Sequence, residues 1–127
     1  WVAFVAGMPA GLLTANILLI NEFPDAPSDA QTGKNHLVVT FGKRASITIY
    51  LAILLMAFLF HLLLVAMLPG ENGWLIAVAA AFLIFGLRIV AQIRRHYDSR
   101  ELVRSNVQTI ALSALTGLLT ALALWLG

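Results

Sequence analysis

Asn21, Glu22, Asp25 and Asp29 bring an amide and half of the chain's six acidic residues into one short stretch. Asn21, Asp25 and Asp29 are spaced i, i+4, i+8, which on a helix keeps three oxygen-bearing side chains on one slowly drifting face. Carboxylates that close together repel each other, and a divalent cation would relieve the repulsion. Mg²⁺ suits such a set, because it prefers oxygen ligands and is commonly shared between carboxylates and substrate phosphates. Gly33-Lys34 follows closely. Lysine is a mobile point charge suited to phosphate, and glycine lets a backbone approach. The stretch is not a P-loop, since the frame of that motif is missing. Pro24 and Pro27 predict that the helix kinks or ends near Phe23. The plainer alternative is a solvated connection in which Ser28 and Asp29 cap a helix and Lys34 only marks topology. Any one of these residues fits that alternative better. The whole pattern at a membrane face fits metal and phosphate chemistry better.

The membrane face follows from composition. Of the 127 residues, 61% are hydrophobic and 11% charged, with mean hydropathy +0.91, against about 45–50% and about 25% in soluble domains. Four windows, 1–20, 46–68, 74–93 and 107–126, are long and apolar enough for spanning helices, which need about 20 residues. They predict an all-α membrane protein. The segment 69–73, Pro-Gly-Glu-Asn-Gly, predicts a tight turn that makes the second and third helices an antiparallel hairpin. Absence of cysteine excludes disulfides, thiolate metal centres and a thiol nucleophile. A net charge of +2 does not point to nucleic acid.

All eight lysines and arginines lie in or beside the first and third connections. An up-down path puts both at one end, which the positive-inside rule makes cytoplasmic. The expected location is the cell's inner or plasma membrane, with the acidic stretch on the cytoplasmic side. Arg88 is expected to snorkel to that surface and Tyr97 to anchor at the headgroups. The segment 94–106 reads as interfacial, or as a lid over the site. His61 is expected to hydrogen-bond a neighbouring helix. Asn16 is a candidate for the same cavity as Asn21. Gly7, Pro9 and Gly11 are expected to bend the first helix or allow close packing.

The order Asn21-Glu22-x-x-Asp25-x-x-x-Asp29-x-x-x-Gly33-Lys34-x-x-Leu37-Val38-Val39-x-x-Gly42 resembles the second aspartate-rich motif of the UbiA superfamily of intramembrane aromatic prenyltransferases. Its flavour is that of the 1,4-dihydroxy-2-naphthoate polyprenyltransferases of menaquinone synthesis. His36 stands where that pattern usually has Thr. The resemblance implies a nine-helix bundle of which this chain is helices six to nine. The family's first aspartate motif is not in the chain, so half of a site is expected here, completed by N-terminal helices of the same protein. A start without Met, inside an apolar run, fits a fragment. The implied chemistry is Mg²⁺-dependent transfer of a polyprenyl group from its diphosphate to an aromatic acceptor. By position Asp25 and Asp29 are implied as catalytic metal ligands, Glu22 as a further ligand, Asn21 as a ligand or orienting group in substrate binding, and Lys34 on the diphosphate.

Two other classes compete. A cation-coupled transporter segment would use the acids for a coupling ion, but transporters tend to place such groups near the bilayer midplane. A non-catalytic membrane subunit would tolerate neutralised carboxylates.

Overall fold

The structure is a computed structural model that describes residues 1–68 and 73–126. It consists of four helices, α1 Val2–Gln31, α2 Leu37–Met67, α3 Gly73–His96 and α4 Leu102–Leu126. Each is long and apolar enough to cross a membrane, as expected of an all-α membrane protein. Of the turn expected at 69–73, residues 69–72 lie outside the described residues, and Gly73 opens α3.

The helices pack as a ring, each against the next and α4 back against α1. Neighbours are antiparallel. Asn16 meets Tyr50 while Glu22 meets Val38, and Leu54 abuts Gly86 while His61 faces Phe82. The core side chains include Leu13, Ile20 and Phe23 of α1, Tyr50 and Leu54 of α2, Ile89 and Ile93 of α3, and Leu112 of α4. Large apolar side chains such as Phe4, Leu18, Leu59, Val107 and Leu118 stay exposed around the ring, where lipid is their natural solvent.

The helices outrun the apolar windows at the charged end. A helix of 30 residues is about 45 Å long, against a hydrocarbon core of about 30 Å. The final turns of α1 therefore project beyond the hydrocarbon. Contrary to expectation, α1 does not end near Phe23 but continues through Pro24 and Pro27. Each proline removes a helical hydrogen bond, a cost of about 3 kcal/mol in a helix interior. Ile20, Phe23 and Ala26 of the same stretch are buried, and this packing holds the helical path. The third connection is shorter than the interval 94–106, because α3 continues to His96 and α4 starts at Leu102.

The three tryptophans, Trp1, Trp74 and Trp125, lie at the end of the ring opposite the arginines. Indole rings favour the membrane–water boundary, so the two ends are distinguished by aromatics at one and cations at the other.

Buried polar groups tie the ring internally. The Asn16 side-chain amide donates to the Tyr50 carbonyl at 3.1 Å. The Thr109 hydroxyl donates to the Ser105 carbonyl at 2.7 Å, so its single proton is used. The 2.8 Å contact between Tyr50 and Thr109 is therefore a bond donated by tyrosine. It crosses the ring diagonally from α2 to α4. Asn16 is thus an interhelical tie rather than a companion of Asn21. Gly7 and Gly11 face open space and make no close approach; the glycine that does is Gly86, where an added Cβ would lie 2.6 Å from Leu54. The His61 Nδ1 has no partner among the described residues, in place of the expected bond to a neighbouring helix. Its ring stands edge-on to Phe82 at 6.5 Å.

Tyr50→Phe keeps the volume and deletes the diagonal bond. It is expected to lower the unfolding free energy by about 1 kcal/mol, within the range for hydrogen bonds between membrane helices, as read from reversible detergent-denaturation curves.

Candidate functional site

Two glycines shape the polar end. Gly33 has φ +76° and Gly42 φ +82°, the positive-φ positions among the described residues. At Gly33 the chain leaves α1 by a Schellman turn: the Lys34 N–H reaches back to the Asp29 carbonyl at 3.0 Å. Gly33 thus serves to end the helix, where phosphate approach was the expectation. The same turn folds the Lys34 side chain onto Asp29, Nζ to Oδ1 3.0 Å. At Gly42 the backbone (ψ 159°) breaks α2 into a short first segment and the spanning segment. This conformation is essentially restricted to glycine. The Ser46 hydroxyl donates to the Gly42 carbonyl at 2.9 Å and stabilises the break.

His36 caps the short segment of α2 and lies between two acids of α1. Its Nδ1 is 3.0 Å from Glu22 Oε2, and its Nε2 is 3.3 Å from Asp29 Oδ2. Nδ1 is also 3.4 Å from the Val39 N–H. It accepts from Val39 when bare and donates to Glu22 when it carries a proton. Glu22 Oε2 in turn accepts from the Val38 N–H at 3.3 Å. Glu22, Asp29, Lys34 and His36 therefore form one connected cluster joining the end of α1 to the start of α2. The hydrogen bond from Lys34 is the main reason that the Asp29 carboxyl is held below the usual carboxylate value. Partial burial opposes it, and His36 adds to it.

Asn21 lies on another flank, where its side-chain oxygen accepts from the Asn106 amide of α4. Both line a cleft of about 420 Å³, together with Pro24, Lys43, Tyr97 and Arg100. Lys43 is held by Asp98 at 2.6 Å, which fastens the third connection to the start of α2. Tyr97 is half-buried in this connection and lines a further cavity together with Arg44. Arg88 is exposed.

The structure thus brings Glu22, Asp29 and Lys34 together and sets Asn21 at the mouth of the adjoining cleft. Asp25 is exposed, its carbonyl accepting from Ser28 Oγ at 2.9 Å. Among the described residues no three of His, Asp and Glu form a preassembled metal group. The donor chemistry still fits Mg²⁺, which typically takes one or two carboxylates, keeps waters and completes its shell with phosphate oxygens. Asp25 and Asp29, one helical turn apart, can provide that many. The sequence pointed to Tyr97 and the segment 94–106 as an anchor, an interfacial stretch or a lid, but not to the meeting of Lys43, Tyr97, Asp98 and Asn106 around one cleft. They come from three separate segments, and no local spacing links Asn21 to a residue 85 positions away.

Four apolar helices closed into a ring, with the lysines and arginines gathered at one end, define an integral membrane protein. Residues 1–112 match the UbiA prenyltransferase family, and the chain belongs to that family. It is accordingly a membrane prenyltransferase. No curated protein and no solved structure matches the chain.

Gly42→Ala forces a side chain into the positive-φ break. It is expected to destabilise the start of α2 by about 1–3 kcal/mol. Amide exchange should then quicken at Val38 and Val39, with the centre of α2 left as protected as before.

Proposed function

We propose that the chain contributes the second acidic motif of a Mg²⁺-dependent enzyme that moves a polyprenyl group from its diphosphate to an aromatic acceptor, with 1,4-dihydroxy-2-naphthoate the acceptor suggested by the motif. The partner motif comes, on this reading, from helices outside residues 1–127. The observation that carries the reading is the projection of α1 beyond its apolar stretch, with Asn21, Asp25 and Asp29 on that projection and Lys34 folded back beside them.

In the reaction the allylic C–O bond breaks and its electron pair leaves with the diphosphate. A ring carbon of the acceptor bonds to the allylic carbon, and the ring then loses its proton. When bound, Mg²⁺ supplies Lewis-acid neutralisation of the leaving group. Asp25 and Asp29 are the residues that would hold it, with Glu22 as a further ligand and Asn21 as ligand or orienting group. Lys34 holds the diphosphate. In the structure Lys34 is instead paired with Asp29, but its side chain is 69% exposed. The Asp29 side chain is 17% exposed, and on this reading a cation on Asp29 and a phosphate on Lys34 together replace the pair. The apolar helix surfaces accommodate the prenyl tail and keep water from the reacting carbon.

Asp25→Asn and Asp29→Asn, each in the enzyme assembled with the other motif, should lower turnover by about a hundredfold or more, as for loss of one preorganised charge-stabilising group. Lys34→Ala should chiefly raise KM for the prenyl diphosphate, because a phosphate contact already acts in the ground state. Activity against Mg²⁺ concentration checks all three. Near-normal turnover with unchanged Mg²⁺ dependence in both aspartate variants would leave the cluster a structural connection.

Orientation is tested separately. Single cysteines at Thr32 and Ser99 should both react with an impermeant thiol reagent from the cytoplasmic side; reaction only from the opposite side would invert the proposed topology.

A further inference from the structure

The ion pairs at the charged end leave the arginines out. Glu22, Asp29, Asp98 and Glu101 pair with Lys34, Lys43, His36 and His96. Among the described residues none of the six arginines forms an ion pair with a carboxylate. Two of them, Arg44 of α2 and Arg94 of α3, line a single cavity of about 290 Å³ with Ile47 and Tyr97. No carboxylate lines it, and neither does any of Asn21, Glu22, Asp25, Asp29 and Lys34. Two guanidinium groups sharing a groove repel each other, and a bound anion offsets that repulsion. Guanidinium also presents a planar fork of donors that matches phosphate oxygens.

The depth of the groove indicates where the anion comes from. Arg44 stands just before the apolar window that opens at Ser46, and Arg94 just after the one that closes at Ile93. Both cations therefore lie at the boundary between hydrocarbon and water, the layer occupied by lipid phosphates. Ile47 is buried and gives the groove an apolar wall, while Tyr97 lines it beside the two arginines. Basic pockets between membrane helices at this depth take anionic headgroups.

We propose that the groove formed by Arg44, Arg94, Ile47 and Tyr97 between α2 and α3 binds the phosphate of an anionic membrane phospholipid. It is a lipid site apart from the acidic cluster, and it stands whether or not the prenyl-transfer reading holds. The shared chemistry is phosphate, and the free ion is the competing source.

The test uses the protein reconstituted in phosphatidylcholine vesicles with trace spin-labelled phosphatidylglycerol or phosphatidylcholine, read by the motionally restricted fraction. Measurements at about 0.5 M salt shrink the screening length to about 4 Å and remove diffuse surface attraction. Phosphatidylglycerol should be preferred by roughly thirtyfold, a scale set by about 1 kcal/mol for each of the two arginines near the surface. Arg44→Gln with Arg94→Gln should abolish the preference. Arg95→Gln with Arg104→Gln, an equal loss of charge elsewhere at the same end, should preserve it. Inorganic diphosphate should not displace the label. Equal losses in the two double variants, or no preference in the wild type, would overturn the site. Displacement by inorganic diphosphate would overturn the lipid as its occupant. Circular dichroism confirms helix content in each variant. If the first double variant does not reconstitute, Arg94→Gln alone should lower the preference about fivefold, and an unchanged preference would overturn the proposal.

Discussion

Within a bilayer a polar group without a partner has no water to turn to, and four greasy helices have little reason to choose one register over another. The hydrogen-bonded chain from Asn16 through Tyr50 to Thr109 and the Ser105 carbonyl imposes that choice here. Apolar side chains gain little from facing each other rather than lipid, so specificity comes from close packing and from such bonds. The chain links α1, α2 and α4, and its diagonal member spans two helices that are not neighbours in the ring. Sliding α2 by one residue would strand the Tyr50 hydroxyl and the Asn16 amide together. The heights at which α1, α2 and α4 leave the membrane are fixed by these contacts, and the polar end is assembled on them.

At that end the backbone does most of the arranging. A Schellman turn at Gly33 and a break at Gly42 bracket the path from α1 into α2. Between them His36 is held against the two acids of α1. The prolines of α1 oppose helix continuation, yet the buried face of Ile20, Phe23 and Ala26 carries the helix past them. Their cost is borne in the segment that displays Asn21, Asp25 and Asp29, residues proposed for the site.

The polar interactions are graded in exposure. Contacts that hold the scaffold, such as Tyr50 to Thr109, are buried. Contacts among the charged side chains at the polar end, such as Lys34 to Asp29, open to solvent on the lysine side.

Much of this was legible in the residues. Four apolar stretches fixed the helix count, since only helices satisfy their own backbone in lipid without closing a barrel. The one-sided lysines and arginines put the first and third connections at a common end, and the i, i+4, i+8 order of Asn21, Asp25 and Asp29 marked the acidic motif. Hydropathy could not locate the helix ends, because polar residues continue a helix once packing supports it; α1 and α2 accordingly reach well past their apolar windows. Local spacing was equally blind to contacts between distant segments. The pairing of Asn21 with Asn106, of Lys43 with Asp98, and of Tyr50 with Thr109 depends on how the helices rotate about their axes and how far each projects. That is decided by packing around the whole ring, so His36 became a bridge between Glu22 and Asp29, and Gly33 a helix stop, only once the tertiary structure brought their neighbours to them.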